Sequence, residues 1–385
     1  MWTKRLPAVI LIVVLLTLTG LFLWKGQKGM IDFEVNNTAG QRIRAGETLY
    51  RQEDGHYQFK YPPFAAFLYV PVSFLPLPAA KFAWFLLVLA SSALVFQLSY
   101  ALVRPEAKKA WVLRVFPPLI LAKFFLRELQ LGQINALITA MLLIMVTVLI
   151  RNEDRPGGGA RESCAGVLWG VSSALKPYAL IFLPYWVLKK KWLVLAGGGL
   201  VLVLAFLGPA LNYGLSGNIQ VHGEWLDSLS RSTPGLLSTQ DNVSLIALFI
   251  RWTGRAQLSR ALYLVTVAML ALVFLFLMIR GRGIPRGMIL ESALLLTLIP
   301  IVSPLGWDYT LLSSVPAVML VLNSFDAFSR PARAFLILNL AAAGLSIYDL
   351  MGRVLYAKFM ALSVITLNFL VLSAFLAWLR TKGRA

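Results

Sequence analysis

Long apolar runs recur along the whole of this sequence, and most of them are close to the length that crosses a lipid bilayer as a helix. A hydrocarbon layer about 30 Å thick requires about 20 helical residues. A closed β-barrel would instead show short segments of alternating polarity, and this sequence contains none. The runs, together with a hydrophobic content of 58%, predict an all-α integral membrane protein.

The apolar runs predict a polytopic helical bundle of about 12 spans, within a range of about 10 to 13. The predicted spans are residues 7–24, 82–103, 112–126, 132–150, 163–176, 178–188, 193–211, 258–280, 288–303, 308–323, 332–348 and 359–379. Two of these runs are short and meet at Lys176-Pro177, where a proline disfavours continuous helix. Because no internal repeat or separate soluble domain is evident, we expect one transmembrane domain over residues 1–385.

Short basic segments separate the apolar runs, at residues 104–109, 189–191, 280–286 and 380–384. Positive loops stay in the cytoplasm, so both termini are predicted to be cytoplasmic, and we expect a bacterial inner membrane protein. The first run, residues 7–24, has a basic flank but no small-residue cleavage pattern, which favours a retained anchor over a signal peptide. The net charge of +19 then reflects topology and contact with anionic membrane lipids, and we expect no nucleic-acid partner.

Two long loops fall on the outer side in this topology, at residues 25–81 and 212–257. The first loop contains an apolar stretch, residues 64–78, that prolines interrupt. We expect short juxtamembrane or re-entrant helices there, because the stretch is too short for a full span. Most of the unusual polar residues of the chain also fall on this outer side.

Two carboxylates, Asp32 and Glu34, stand one residue apart soon after the first apolar run, in the segment GMIDFEVNNTAG. The sequence that follows predicts a helix over about residues 33–45, closed by Gly46. One interpretation makes Asp32 the N-cap of this helix, with Glu34 favourable in its positive first turn. The other interpretation gives the carboxylates a chemical role, and these residues alone leave both open.

Four cations on the outer side are candidates for binding an anionic group. Lys176 interrupts an apolar run in ALKPY, where a charge requires a partner or a function, although a lysine at a helix end can also snorkel. Arg127 stands beside Glu128 and can form a local ion pair with it. Lys60 and Arg251 can equally anchor the surface or the membrane interface.

Further polar residues on the outer side have both a structural and a functional interpretation. Gln133 and Asn135 begin a span in LGQIN, where such side chains hydrogen-bond across helices or contact a sugar. In SPLGWDYT, Trp307 is an interfacial anchor or stacks on a sugar or lipid, and Asp308 is a helix N-cap or binds hydroxyl groups. His56 lies in the first outer loop, where a histidine is either solvated or part of a site.

Metal-ligating residues are scarce. His56 and His222 are the only histidines, Cys164 is the only cysteine, and no CxxC or HExxH spacing occurs. An intrachain disulfide cannot form, and a histidine-rich metal site is not expected. We expect no metal and no cofactor.

Five segments of the chain carry a resemblance to a known family. In order they are FKYPPFAAFLYVPVSFLPLPAAKFAWFLLVLAS at 59–91, LGQINALI at 131–138, AGVLWGVSSALKPYALIFLPYWVLKKKW at 165–192, DNVSL at 241–245 and SPLGWDYT at 303–310. Together they resemble the family 87 glycosyltransferases, which are membrane mannosyltransferases. The resemblance implies a C-type glycosyltransferase architecture, with short juxtamembrane helices in the first outer loop, and a sugar donor linked to polyprenyl phosphate.

The same resemblance implies roles for individual residues. In that family an aspartate soon after the first span, in a pattern like D-F-x-V-Y, is the catalytic base. The residues DFEV at 32–35 match this pattern. Asn36 departs from it, because it stands where tyrosine is common. It implies that Asp32 takes a proton from an acceptor hydroxyl, with Glu34 as the alternative base. The candidates for the donor phosphate are Lys176, Arg127, Lys60 and Arg251. The candidates for substrate contacts are Glu34, His56, Gln133, Asn135, Trp307 and Asp308.

We therefore expect a monomeric, inverting glycosyltransferase that moves a sugar from a polyprenyl-phosphate donor to a glycolipid or polysaccharide acceptor at the outer membrane face. Mannose is the first candidate for this sugar. Lysine and arginine can bind the single phosphate of such a donor, which is why no metal is expected. The alternatives are a transporter or flippase of lipid-linked sugars, and a non-catalytic assembly subunit. The long, charged first outer loop favours the enzyme, because transporters commonly carry their key polar groups at mid-membrane.

Overall fold

The computed structural model describes residues 28–104, 109–153, 158–280 and 287–383, together with residues 17, 19, 20 and 22. This part of the chain folds into helices joined by turns and loops, with one isolated antiparallel bridge between Asn242 and Trp307. The prediction of an all-α integral membrane protein is confirmed by these helices and by their apolar composition. The predicted span at 7–24 lies almost entirely outside the described residues, as do most of the basic segments at 104–109 and 280–286.

Helices make up nearly all of the regular structure in the described residues. The α-helices are α1 Ile31–Ala45, α2 Leu77–Val103, α3 Ala110–Leu131, α4 Asn135–Glu153, α5 Gly159–Leu175, α6 Leu183–Leu188, α7 Trp192–Leu207, α8 Ala210–Leu236, α9 Leu245–Thr253, α10 Ala256–Arg280, α11 Gly287–Val302, α12 Val315–Asn323, α13 Arg330–Gly344, α14 Tyr348–Ala361 and α15 Val364–Lys382. Short 3₁₀ segments are Gln52–Tyr57, Pro63–Tyr69, Val72–Phe74, Pro177–Phe182, Asp308–Ser314 and Phe325–Ala327.

Three of the described helices, α2, α10 and α15, are each long and apolar enough to cross a membrane. Three bent pairs raise this number to six if each pair is one broken span. These pairs are α3 with α4, bent by 119°, α7 with α8, bent by 87°, and α13 with α14, bent by 102°. Because other apolar helices, including α11, are shorter, the count of about 12 spans stays a prediction.

The helix predicted after the first apolar run is present as α1 and begins two residues earlier than expected. It ends as predicted at Gly46, whose φ of 69° lies in the left-handed region that glycine adopts without strain. The N-cap residue is Met30, which makes no side-chain capping bond. Asp32 therefore lies in the first turn and is not the N-cap, although it and Glu34 still face the positive end of the helix dipole.

Tight packing fixes α1 against the corner between α3 and α4. The backbone N–H of Met30 donates a hydrogen bond of 2.8 Å to the carbonyl of Gln130. Phe33 is fully buried, and its ring lies 5.4 Å from that of Trp84. Gly132 has a φ of 69°, and a Cβ there would lie 2.6 Å from the Cβ of Phe33. A larger residue at this corner would push α1 away, so the glycine allows the close approach.

Parts of two predicted loops are helical. Helix α8 occupies much of the loop predicted at 212–257, and α14 covers the short outer loop predicted at 349–358. Both follow sharp bends, and α8, after a break in the helical backbone at Gly214, leaves Leu215 and Ile219 exposed at a spacing of four residues. The sequence did not predict these helices because their apolar residues are interrupted by polar ones, so that no continuous apolar run forms.

A buried charge cluster joins α11 to the end of the chain. Glu291 accepts hydrogen bonds from Arg380 Nη2 at 2.6 Å and Tyr185 Oη at 2.8 Å, and pairs with Lys189 Nζ at 2.8 Å. Lys189 belongs to the basic segment at 189–191, which the sequence places on the cytoplasmic side. Breaking such a buried set would leave charges uncompensated, so the cluster stabilises the packing of α15 on α11.

Candidate active site

The two carboxylates of α1 point to different partners. Gln133 Nε2 donates a hydrogen bond of 2.6 Å to Asp32 Oδ2. Glu34 instead forms an ion pair with Lys81, which also donates a hydrogen bond of 2.9 Å to the carbonyl of Gly29. Residues two apart on a helix diverge by about 200°, so the helical conformation itself separates the carboxylates. Only Asp32 joins the polar network described below.

Gln133 connects Asp32 to a buried ammonium group. Its Oε1 accepts a hydrogen bond of 2.9 Å from Lys176 Nζ and another of 2.7 Å from Tyr61 Oη. Two donors therefore face the oxygen of the amide and one carboxylate faces its nitrogen, an arrangement that fixes the amide orientation. One side chain thus links an anion to a cation.

The position of Lys176 follows from the proline after it. Helix α5 ends at Leu175, and Lys176 is extended, with φ −141° and ψ 114°, as expected for a residue before proline. Its ammonium is buried, donates 2.9 Å hydrogen bonds to Gln133 Oε1 and Asn135 Oδ1, and lies 4.6 Å from the ring centroid of Tyr61. An ammonium has three N–H donors, so one is left for a further acceptor.

Glu128 holds the network in place through Asn135, a structural role that the sequence did not reveal. Its carboxylate is fully buried and accepts hydrogen bonds of 2.7 Å from Asn135 Nδ2 and 2.9 Å from the backbone N–H of Ala136. It therefore caps the beginning of α4 and orients the amide that holds Lys176. Tyr178 Oη adds a hydrogen bond of 3.1 Å to Asn135 Oδ1. The available signal was a glutamate inside an apolar helix, which requires a partner.

Lys60 places a second positive charge near Asp32. Burial lowers the pKa of Lys60 from its ordinary value of 10.5, and the negative charge of Asp32 acts in the opposite direction. Within the described part of the chain, its ammonium forms no hydrogen bond or ion pair, while its backbone carbonyl accepts a bond of 3.1 Å from Trp225 Nε1. A half-buried cation with free donors is suited to an anionic ligand.

Arg127 belongs to a second charged cluster and binds carboxylates other than the neighbouring Glu128. Its guanidinium contacts Asp241 through bonds of 3.0 and 2.5 Å, and Asp308 Oδ2 at 3.3 Å. Lys123 Nζ lies 3.4 Å from the same Asp308 oxygen. Asp308 is fully buried and follows the N-cap position, which Trp307 occupies. The DNVSL and SPLGWDYT segments therefore meet through these charges.

The other candidates lie apart from the network around Asp32. Arg251 donates 2.6 Å hydrogen bonds to the carbonyls of Thr239 and Asn242, so it holds the turn before α9. Trp307 is half-buried, and its ring lies parallel to that of Tyr309. His56 is exposed in the segment Gln52–Tyr57.

The structure thus brings four predicted site residues into one hydrogen-bonded network: Asp32, Gln133, Asn135 and Lys176. Tyr61, Tyr178 and Glu128 complete it and were not among the candidates. Tyr61 follows Lys60 directly in KYPP, which was the only signal for it. Among the described residues, no group of three or more His, Cys, Asp or Glu side chains is arranged to hold a metal ion.

Apolar helices that carry a network of carboxylate, amide and ammonium groups define an integral membrane protein with a polar interior. The sequence model of glycosyltransferase family 87 matches residues 59–304, which is more than half of the chain. The chain belongs to this family and is a glycosyltransferase, which confirms the resemblance described above. Asp32 precedes the matched residues, so its role remains a proposal.

Individual proteins also resemble the chain. A polyprenol-phosphate-mannose-dependent alpha-(1-2)-phosphatidylinositol mannoside mannosyltransferase from Mycolicibacterium smegmatis is 27% identical over 368 residues, covering 87% of this chain and 80% of the relative. Two crystal structures of ArnT from Cupriavidus metallidurans are 13% identical. The apo structure has a TM-score of 0.41 and covers 98% of this chain and 78% of ArnT. The structure with undecaprenyl phosphate has a TM-score of 0.40 and covers 96% and 77%.

Proposed function

We propose that this glycosyltransferase moves a sugar from a polyprenyl-phosphate-linked donor to a hydroxyl group of a glycolipid or polysaccharide, with inversion at the anomeric carbon. The polyprenol-phosphate-mannose-dependent relative from Mycolicibacterium smegmatis supports this donor and makes mannose the first candidate sugar. The observation that carries the proposal is the chain of hydrogen bonds from Asp32 through Gln133 to Lys176. The carboxylate and the ammonium to which we assign the roles of base and phosphate-binding cation lie on either side of this single amide.

Asp32 acts as the general base in this proposal. Its Oδ2 is held by Gln133, while Oδ1 has no hydrogen bond within the described residues and the side chain is partly exposed. An acceptor hydroxyl can approach Oδ1 and transfer its proton as the acceptor oxygen attacks the anomeric carbon. Glu34 is less suited to this role, because its carboxylate is paired with Lys81.

Lys176 and Lys60 bind the donor phosphate in this proposal. Breaking the bond between the anomeric carbon and the phosphate oxygen leaves negative charge on the phosphate, which a positioned ammonium stabilises. Lys176 has one N–H left for this bond, and Lys60 has no competing partner among the described residues. The acceptor oxygen gives its proton to Asp32 and attacks the anomeric carbon from the face opposite the phosphate, which leaves with the bonding electron pair, so a single displacement inverts the anomeric configuration.

The network lies at the end of α5 that is remote from the cytoplasmic segments predicted by charge. The segment RNEDRPGGGARES at 151–163 has the charge and glycine content expected of a cytoplasmic linker. Helix α5 begins within this segment at Gly159 and ends at Leu175, next to the network. A helix of this length spans about 25 Å, which is close to the thickness of a hydrocarbon layer. This geometry supports an active site on the outer face.

A transfer assay tests the proposed donor. Purified protein in lipid vesicles would receive either polyprenyl-phosphate-[³H]mannose or a nucleotide-linked [³H]mannose, together with a membrane lipid extract as the acceptor source. We expect label to reach an acceptor only from the polyprenyl-phosphate donor, with inverted anomeric configuration by NMR. Transfer from the nucleotide sugar, or retention of configuration, would overturn the proposal.

A further inference from the structure

A cleft of about 410 Å³ runs along one face of α1 and is not part of the network around Asp32. One wall is formed by Ile31, Val35 and Thr38, which share a helical face because they are spaced by three and four residues. The other wall is formed by Tyr57, the last residue of the 3₁₀ segment Gln52–Tyr57, and by Phe59 just after it. The cleft therefore lies between α1 and the remainder of the first outer loop.

The cleft begins within one helical turn of Asp32. Its lining residues Ile31, Glu34 and Val35 lie one to three positions from Asp32 in α1, which is an axial distance of about 1.5 to 4.5 Å. Asp32 itself lies about 100° around the helix from Ile31, so a molecule held in the cleft reaches the free oxygen of Asp32 by extending one end around the first turn of α1. Lys176, assigned above to the donor phosphate, is joined to this carboxylate through Gln133.

The lining of the cleft has the chemistry that binds sugars. Arg42 and Asp54 form a two-bond ion pair across it, with Nη2 to Oδ1 at 2.9 Å, and Arg42 lowers the pKa of the Asp54 carboxyl. This pair offers fixed donors and acceptors for hydroxyl groups. The Thr38 hydroxyl is exposed, and Tyr57, with 55% of its surface exposed, presents a ring on which a sugar face can stack.

The charges of the cleft disfavour an anionic ligand. Two carboxylates, Glu34 and Asp54, line it, whereas Arg42 is the only cation among its lining residues. That guanidinium is already neutralised by Asp54, and its side chain is only 12% exposed. A phosphate or uronate in this cleft would find no cation without a carboxylate partner, because Arg42 is paired with Asp54 and the nearby Lys81 is paired with Glu34, while a neutral polyol would meet a set of hydrogen-bonding groups.

We propose that this cleft is the acceptor subsite and that it takes a neutral carbohydrate group, whose hydroxyl reaches Asp32. The proposal rests on the proposed function, since it names the acceptor for the same transfer. Acceptors that carry a neutral sugar at the reacting end are then preferred over acceptors with an anionic sugar there.

Photo-crosslinking tests the cleft without any donor. Purified protein in lipid nanodiscs free of glycoside detergent would be irradiated with an alkyl mannoside that carries a diazirine on the sugar, and the labelled peptides mapped by mass spectrometry. We expect labelling within residues 52–59, competed by octyl mannoside and not by octyl glucuronide. Equal competition by both compounds, or labelling confined to other segments, would overturn the proposal.

Two tryptophan variants provide a matched comparison. Thr38→Trp fills the cleft from an exposed position of α1, while Gln41→Trp adds the same side chain at an exposed position of α1 that does not line it. We expect Thr38→Trp to reduce labelling of residues 52–59 by at least about tenfold and Gln41→Trp to leave it unchanged. Unchanged labelling in Thr38→Trp would contradict the cleft as the binding site.

The transfer assay separates failure of the cleft from failure of the proposed function. In active protein, Thr38→Trp should raise the KM for an alkyl mannoside acceptor by at least about tenfold and leave the KM for the donor unchanged. Normal transfer with an unchanged acceptor KM overturns the cleft alone. Specific crosslinking in a protein that transfers no sugar supports the cleft and overturns the proposed function.

Discussion

Gln133 donates a hydrogen bond of 2.6 Å to Asp32, although 101 positions separate the two residues in the chain. The contact brings the first turn of α1 to the corner between α3 and α4, where Gly132 leaves room for Phe33. Because the same amide accepts a bond from Lys176, the orientation of Asp32 depends on the position of a buried cation.

Replacing Gln133 with leucine should therefore uncouple the base from the cation. Gln133→Leu keeps a similar volume but leaves Asp32, Lys176 and Tyr61 each without one partner. A lost bond to a buried polar group costs about 1 to 3 kcal/mol, so we expect turnover to fall by about 10- to 100-fold. Steady-state transfer kinetics would measure this fall. Gln130→Leu, at an exposed glutamine of α3, should behave as the wild type, and equal activity of both variants would exclude a role for Gln133.

Lys176→Met should weaken donor binding without unfolding the protein. Gln133 Oε1 keeps its bond from Tyr61, and Asn135 Oδ1 keeps its bond from Tyr178, so neither oxygen loses its only partner. A hydrogen bond to a charged group contributes about 1.5 to 3 kcal/mol, and we expect the Kd for polyprenyl phosphate to rise by about 10- to 100-fold.

The matched control for this variant is Lys190→Met, which removes an exposed lysine from the basic segment at 189–191. Titration of purified protein with polyprenyl phosphate would give both Kd values. If Lys176→Met and Lys190→Met bind the lipid equally well, the buried ammonium does not contact the phosphate.

The pH dependence of transfer should report on Lys60. Burial lowers its pKa from 10.5, so its positive charge is present at neutral pH and is lost as the pH rises through a value below the ordinary one. An arginine stays charged throughout this range. We expect Lys60→Arg to move the alkaline fall of kcat/KM for the donor to higher pH, measured from about pH 7 to about pH 10. An unchanged alkaline limb would show that loss of the Lys60 charge does not cause the alkaline fall in donor capture.

Chemical labelling should place the site on the outer face. In a Cys164→Ser background the chain has no cysteine, so Gln52→Cys and Lys190→Cys each introduce one thiol at an exposed position. We expect a membrane-impermeant maleimide to label Gln52→Cys in intact cells, and Lys190→Cys only after permeabilisation. The reverse pattern would place Asp32 and its network on the cytoplasmic side.

Local sequence signals predicted much of the fold. The helix after the first apolar run and its end at Gly46 follow from helix and glycine preferences, and the break at Lys176-Pro177 follows from the proline. Helices α8 and α14 were missed, because polar residues interrupt their apolar ones and no continuous apolar run forms. The bends that position them depend on tertiary packing and are not contained in local propensity.

The composition of the candidate site was predicted in part, and its arrangement was not. Asp32, Gln133 and Lys176 each stood out as polar groups beside apolar sequence, but no single-sequence pattern specifies that one amide joins the other two. Glu128 was assigned only to a local pair with Arg127, because adjacent opposite charges suggest one. In the structure Arg127 binds Asp241, 114 positions away, and long-range pairing of this kind requires the folded chain.

The general base is tested most directly by comparing Asp32→Asn with Asp227→Asn. An asparagine at position 32 can still accept the hydrogen bond from Gln133 but cannot take a proton, and Asp227 is an exposed residue of α8 paired with Arg231. Single-turnover transfer from polyprenyl-phosphate-mannose would be measured together with donor Kd and thermal stability. We expect Asp32→Asn to lose at least about 10³-fold in rate while donor Kd and Tm stay unchanged, and Asp227→Asn to match the wild type. A rate for Asp32→Asn within about tenfold of the wild type would contradict the assignment of Asp32 as the base.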